Sequence, residues 1–139
     1  MSFKLESISI TKLERIKVTG GDVLHYLRSD DYGFNGFGEA YFSFVNFNSV
    51  KGWKKHNKMI MNLVCPIGQV KFIFTENFNE FMEINIGQNN YVRLTVKPNV
   101  WFAFKGLNEP YSLLANIANI KHNHNEVERM NLSEVDYSI

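Results

Sequence analysis

From residue 39 to residue 119, apolar and polar positions trade places in short runs separated by turn residues. The runs read EAYFSFVNF, VKGWKKH, MIMNLVCP, QVKFIFT, FMEINI, YVRLTVK, VWFAFKG and YSLLANIAN. Asn, Gly and Pro punctuate them at 46–48, 57–58, 66–68, 76–79, 87–90, 98–99 and 106–110. A side-chain period of two with turns at this spacing predicts many short strands in a sandwich or barrel, and no helix beyond a turn or two. Before this block, SISITK at 7–12 places Ile8 and Ile10 on one face and predicts another strand. Gly20-Gly21-Asp22 is a turn, and Asp22 is placed to cap a short helical turn over VLHYLRS. YGFNGFG at 32–38 is a Gly-aromatic loop. The last stretch, KHNHNEVERMNLSEVDYSI, is polar with scattered apolar residues and is expected to wrap the barrel or close its mouth.

A chain of 139 residues is one domain and long enough to bury a core unaided. With 12 Phe and 6 Tyr it has the bulk that strands and a jelly-roll interior use. The net charge of +1 provides no global field for nucleic acid or acidic lipid, so neither is an expected partner. A single cysteine, Cys65, excludes an internal disulfide and a cysteine-built zinc site. Its apolar setting, LVCPIG, suits a buried inert thiol better than a nucleophile. No apolar run approaches membrane-spanning length and the first residues show no apolar leader, which sets the expectation of a cytoplasmic protein.

Two segments carry the chemistry: VKGWKKHNKMIMNLVCPIG at 50–68 and VKPNVWFAF at 96–104. Together with GDVLHYL, GFGEAYFS, LTVKPNVWFAFKGL and NEVERMNL, in this order, they make the chain resemble the dTDP-4-dehydrorhamnose 3,5-epimerase family of nucleotide-sugar cupins. The resemblance implies an all-β, single-domain cupin jelly roll, a double-sheet antiparallel sandwich. It further implies a homodimer with a substrate tunnel inside the barrel, a nucleotide-sugar ligand and no cofactor. The family's Arg-Gly-aliphatic-His motif reads Lys51-Gly52-Trp53-Lys54 here, so Lys54 stands at the base position. Ala115 aligns with the family's Tyr, and Ser138 falls near its Asp. In metal-binding cupins the ligand positions correspond here to Lys54, His56, Met61 and Phe102, one plausible ligand of four, so the barrel reads as metal-free. His122 and His124 have ligand-like spacing but read as part of a solvated loop.

Strict alternation along VKGWKKH puts Gly52, Lys54 and His56 on one face and Lys51, Trp53 and Lys55 on the other. A lysine in an apolar cavity loses its proton more readily, so Lys54 reads either as a general base or as a cation facing a phosphate. His56 is its partner acid or a substrate hydrogen bond, against the alternative of a satisfied core histidine. Lys51 and its neighbours suit a diphosphate, or form a solvated edge. Asn62 and Asn116 line the tunnel or bond the nearby backbone. Trp101 and Phe102 stack on a ligand ring or belong to the core. Glu39 and Tyr41 share a strand face at the cavity mouth, and Arg93 points either way. The reaction implied is proton removal beside the ketone of a 4-keto-6-deoxy sugar nucleotide, followed by reprotonation. The alternatives are a catalytically silent sugar-binding cupin and a 3,4-ketoisomerase, whose two-His arrangement is not preserved.

Overall fold

The computed structural model describes residues 3–139. In chain order the strands are β1 (Ile8–Lys12), β2 (Arg15–Ile16), β3 (Val23–Leu24), β4 (Glu39–Asn46), β5 (Val50–His56) and β6 (Met61–Ile67). They continue with β7 (Gln69–Thr75), β8 (Met82–Gly87), β9 (Val92–Val96), β10 (Trp101–Gly106), β11 (Tyr111–Ala118) and β12 (Val127–Arg129). Two antiparallel five-stranded sheets result, in the orders β1-β9-β6-β11-β4 and β12-β5-β10-β7-β8, with β2 and β3 as a separate hairpin. The chain changes sheet repeatedly, which makes the sandwich that the turn spacing predicts and gives it the jelly-roll arrangement that the resemblance implies. Two single 3-10 turns, His124–Glu126 and Leu132–Glu134, are the only helical pieces among the described residues.

The main core lies between the sheets. Leu63, Phe72, Phe74, Ile86 and Leu94 are almost wholly buried there, on alternate positions of four strands. A second, smaller core forms on the outer face of the second sheet. Trp53, Ile73, Trp101 and Ala103 are covered there by Val135, with Met130, Tyr137 and Ile139 packed against them. The C-terminal segment therefore both wraps the barrel and, through β12, extends its second sheet.

Two expectations change, and one open alternative, the direction of Arg93, is resolved. Asp22 does not cap a helical turn: Val23 and Leu24 pair with Ile16 and Arg15, and Asp22 lies 3.8 Å from Arg15 Nε. Pairing with a strand already present outweighs the weak local preference for one isolated turn. Arg93 points away from the main core. It is buried beneath the loop before β4, donating to the carbonyls of Tyr26 at 2.7 Å and Tyr32 at 2.9 Å.

The second change concerns β5. Its register with β10 slips between Phe102 and Ala103, so Phe102 pairs with Lys54, Ala103 with Gly52 and Phe104 with Lys51. Trp53 is the extra residue of this bulge. Paired residues share a face, and Phe102 and Phe104 face the interior, so Lys51 and Lys54 both turn inward. The alternation that separated Lys51 from Lys54 is broken by one inserted residue. Trp53 is left outside, in the second core.

Candidate active site

A cavity of about 650 Å³ occupies one end of the sandwich. Met59, Met61, Leu63, Phe72 and Leu114 make its apolar floor, and polar groups gather where β4, β5 and the C-terminal segment meet. The positions read as metal-ligand equivalents, Lys54, His56, Met61 and Phe102, all line it. Among the described residues, no group of three or more His, Cys, Asp or Glu is placed to hold a metal ion.

His56 is buried at the end of β5, its ring stacked on Phe102 with 6.0 Å between centroids. Its Nδ1 lies 2.5 Å from Glu126 Oε2. The other carboxylate oxygen, Oε1, accepts the backbone N–H groups of Lys58 at 3.0 Å and Met59 at 2.9 Å. Burial pushes the Glu126 pKa up, but the His56 hydrogen bond and then these two backbone donors outweigh it, so the pKa lies below the usual carboxylate value of 4.5 and the group is ionised. An ionised Glu126 fixes the proton of a neutral imidazole on Nδ1. Nε2 is then a bare lone pair, buried and without a hydrogen-bond partner among the described residues. Burial pulls the imidazole below its ordinary 6.5, a shift that Glu126 opposes. A neutral, oriented imidazole in a mostly apolar cavity is equipped to accept a proton.

Lys54 pairs with Arg129 across β5 and β12. Desolvation lowers its pKa first, and the Arg129 guanidinium adds like-charge repulsion. Lys51, brought inward by the bulge, donates from Nζ to the Phe44 carbonyl at 2.9 Å. Lys51, Lys54 and Arg129 thus form a cationic group on one wall. Glu39 also lines the cavity, and its Oε1 accepts the His122 backbone N–H at 2.6 Å, tying the C-terminal segment to β4. His122 belongs to this wall as well, an addition to its reading as a solvated loop residue.

Tyr41 lines the wall opposite β5. Asn116, directly across on β11, donates from Nδ2 to the Tyr41 hydroxyl at 3.1 Å. The phenol keeps its own O–H to donate, and burial raises its pKa, so it stays protonated. Ala115, aligned with the family's Tyr, pairs with Phe42 and Val64 and faces away from the cavity. Asn116 is the inward residue there and acts by holding Tyr41. Ser138 is exposed and does not line the cavity. The carboxylate beside the candidate base is Glu126, twelve residues earlier.

Two expected tunnel residues lie elsewhere. Asn62 is on the outer face of its sheet, where its Oδ1 accepts from Thr95 Oγ1 at 2.6 Å and its Nδ2 donates to the Gly33 carbonyl at 2.9 Å. Trp101 belongs to the second core, with Lys55 Nζ 5.2 Å above its ring. Both faces of each sheet are partly covered, so burial alone does not identify a cavity residue. Phe102 does face the cavity. Cys65 is buried, its thiol pushed up to about 12, as suits an inert side chain. Sequence reasoning missed Glu126 and Arg129. Nothing local distinguishes them in the polar NEVER run, because their partners lie on β5, some 70 residues earlier.

No protein-family model matches the chain, and no curated protein does. Solved structures do. A dTDP sugar isomerase from Desulfovibrio desulfuricans G20 is 31% identical, with a TM-score of 0.89 over 96% of this chain and 90% of that one. A sugar 3,4-ketoisomerase from Thermoanaerobacterium thermosaccharolyticum, solved with TDP, is 21% identical (TM-score 0.79, 94% and 93% covered). A dTDP-4-dehydrorhamnose 3,5-epimerase from Sulfolobus tokodaii shares 15% identity (TM-score 0.82, 96% and 82% covered). At these lower identities the likeness is one of fold.

Proposed function

The chain belongs to the dTDP-4-dehydrorhamnose 3,5-epimerase-like family of sugar-nucleotide cupins, and we propose that it epimerises a 4-keto-6-deoxy sugar carried on a nucleoside diphosphate. The observation that carries this reading is the buried His56–Glu126 pair, with an unpartnered Nε2 on a residue that lines the cavity. His56 Nε2 takes the proton from the carbon beside the ketone, and the C–H electron pair moves to the carbonyl oxygen as an enolate. Lys54, made more acidic by its surroundings, holds that oxygen as an ammonium hydrogen-bond donor. Tyr41, on the opposite wall, delivers a proton to the other face of the carbon as the enolate electron pair returns to it and the ketone re-forms; Tyr41 recovers its proton from solvent and His56 gives up to solvent the one it took. Lys51 and Arg129 take the diphosphate, and Phe102 with its neighbours packs on the sugar. The working unit is a homodimer in the cytoplasm.

Base and acid on opposite walls fit inversion at carbon, and this separates an epimerase from a silent binder. Incubation with dTDP-4-keto-6-deoxyglucose in heavy water is expected to place deuterium beside the ketone. His56→Asn should slow exchange about 100- to 10,000-fold while the melting curve shows a folded protein. Exchange by the native protein should fall on the acid side, with a midpoint below 6.5, because His56 must be neutral and its pKa is lowered. No exchange at any pH leaves only the binding role.

Lys54 is assigned here to the enolate, not to the base role its position in the motif implied, because His56 alone has an orienting carboxylate. The two assignments predict different outcomes. Lys54→Met should cost about 100-fold or more in exchange either way. Lys54→Arg should retain most activity if the group is a cation, and none if it is the base, since guanidinium keeps its proton.

A further inference from the structure

We infer that the negative charge of a bound diphosphate completes the contact between β5 and β12, so that filling the cavity tightens the C-terminal segment and, with it, the carboxylate of Glu126. The inference rests on the nucleotide ligand of the reading above and not on the proton transfer proposed there. β12 is three residues long and, among the described residues, has a strand partner on one side only. Its three rungs differ in kind. Val127 pairs with His56, Glu128 with Lys55 and Arg129 with Lys54. Residues directly opposite in an antiparallel pair share a face, where unlike charges attract and like charges repel. The middle rung is attractive, with Lys55 Nζ 3.2 Å from Glu128 Oε2. The last rung sets a guanidinium against an ammonium, and both residues line the cavity.

Among the described residues, no carboxylate forms an ion pair with either cation. Glu126 is engaged by His56 and by two backbone N–H groups. Glu39 and Glu134 line the same cavity, and each already accepts a backbone N–H, from His122 at 2.6 Å and from Asn131 at 2.7 Å. Lys51 adds a third cation to the wall. The repulsion is felt at Lys54: desolvation and then Arg129 lower its pKa, against a pull upward from Glu126 and Glu39. Two cations fixed opposite each other with no carboxylate between them suit an anion that carries more than one charge.

The rest of the segment is well held. Trp53 and Met130 exchange both backbone bonds at 3.0 Å, and the Asn57 N–H donates to the Glu126 carbonyl at 2.8 Å. Further on, Tyr137 stacks on Phe81 with 4.2 Å between centroids. One repulsive rung therefore loosens β12 without displacing it, and an anion beside that rung tightens it. A ligand shifts such an equilibrium by its differential affinity for the two states, and the coupling is reciprocal. Glu126 immediately precedes β12, so the diphosphate reaches the candidate base through one short stretch of backbone. Binding energy from the unreacting part of the substrate then orders the part of the site that reacts.

Amide hydrogen exchange at Met130, whose N–H donates to the Trp53 carbonyl, tests the coupling. Saturating dTDP should slow it about fivefold or more in the native protein. Thymidine, which lacks the phosphates, should leave it unchanged. Arg129→Gln removes the repulsion without a ligand. Its Met130 amide, free of nucleotide, should exchange about two- to fivefold more slowly than that of the native protein. Equal slowing by thymidine, no slowing by dTDP, or ligand-free exchange in Arg129→Gln as fast as in the native protein overturns the inference. If the variant fails to fold, the comparison of dTDP with thymidine on the native protein decides. Deuterium uptake by a keto-sugar nucleotide is a separate measurement. Uptake without slowing at Met130 sinks this inference alone, and slowing without uptake sinks the epimerase alone.

Discussion

Glu126→Gln should leave the barrel folded and slow proton exchange by about 100- to 10,000-fold, the range expected when a general base is lost. The substitution is nearly isosteric. The amide oxygen continues to accept the Lys58 and Met59 backbone N–H groups that now bond Oε1. The amide nitrogen then faces His56 Nδ1 as a donor, where a carboxylate oxygen had been an acceptor. His56 is forced to accept at Nδ1 and carry its proton on Nε2. The cavity would then face an N–H instead of a lone pair, and the base would be present with the wrong tautomer. Imidazole carbon and nitrogen shifts in NMR report the tautomer directly. Unchanged exchange with a switched tautomer would remove His56 from the base role. Glu126→Ala is a harsher change, leaving two backbone donors and an imidazole unpaired. It should cost about 3 kcal/mol or more of stability.

The largest effect on stability is expected at Gly52. Its φ is +146°, a backbone region that side chains rarely adopt. A Cβ built there would lie 2.5 Å from the Ala103 Cβ and 2.8 Å from the Ala103 Cα. Both partners belong to paired strands in the middle of a sheet, so neither can retreat without breaking the ladder. Gly52→Ala combines backbone strain of about 1–3 kcal/mol with overpacking of about 1–3 kcal/mol. Against a typical total of 5–15 kcal/mol this is a large fraction. Chemical denaturation should show a loss of about 2–6 kcal/mol, or no folded protein at all. A loss under 1 kcal/mol would mean that the bulge does not need glycine.

That bulge also marks where the sequence stops being legible. The strands between β4 and β11 were readable because each shows an alternating face and ends in a turn residue. The two-residue regularity of that pattern fails at Gly52-Trp53, where one added residue changes the phase of β5. A bulge has no hydrophobic signature of its own, so Lys51 was assigned to the wrong face. Trp101 and Asn62 were misplaced for a related reason. The C-terminal segment and the loop before β4 cover the outer faces of the two sheets, so inward and outward residues both look like core. His56 and Phe102 were legible because motif position and strand parity agreed. Glu126 was not, because its meaning comes from a partner far away in the chain. Asp22 shows the opposite error, a local capping signal overruled by strand pairing.

The long separation between His56 and Glu126 makes the candidate base a joint property of two stretches of polypeptide. Between them runs the exposed stretch 121–125, which no strand ladder protects. A single proteolytic cut there would leave nine of the ten strands of the two sheets in one piece, yet free the piece that carries the carboxylate, Arg129 and the cover of the second core. Catalysis would then be lost before the fold, and adding the released piece back at sufficient concentration would restore it. On the proposed epimerase reading the protein is in this sense a natural split enzyme, whose activity reports on the docking of its last strand.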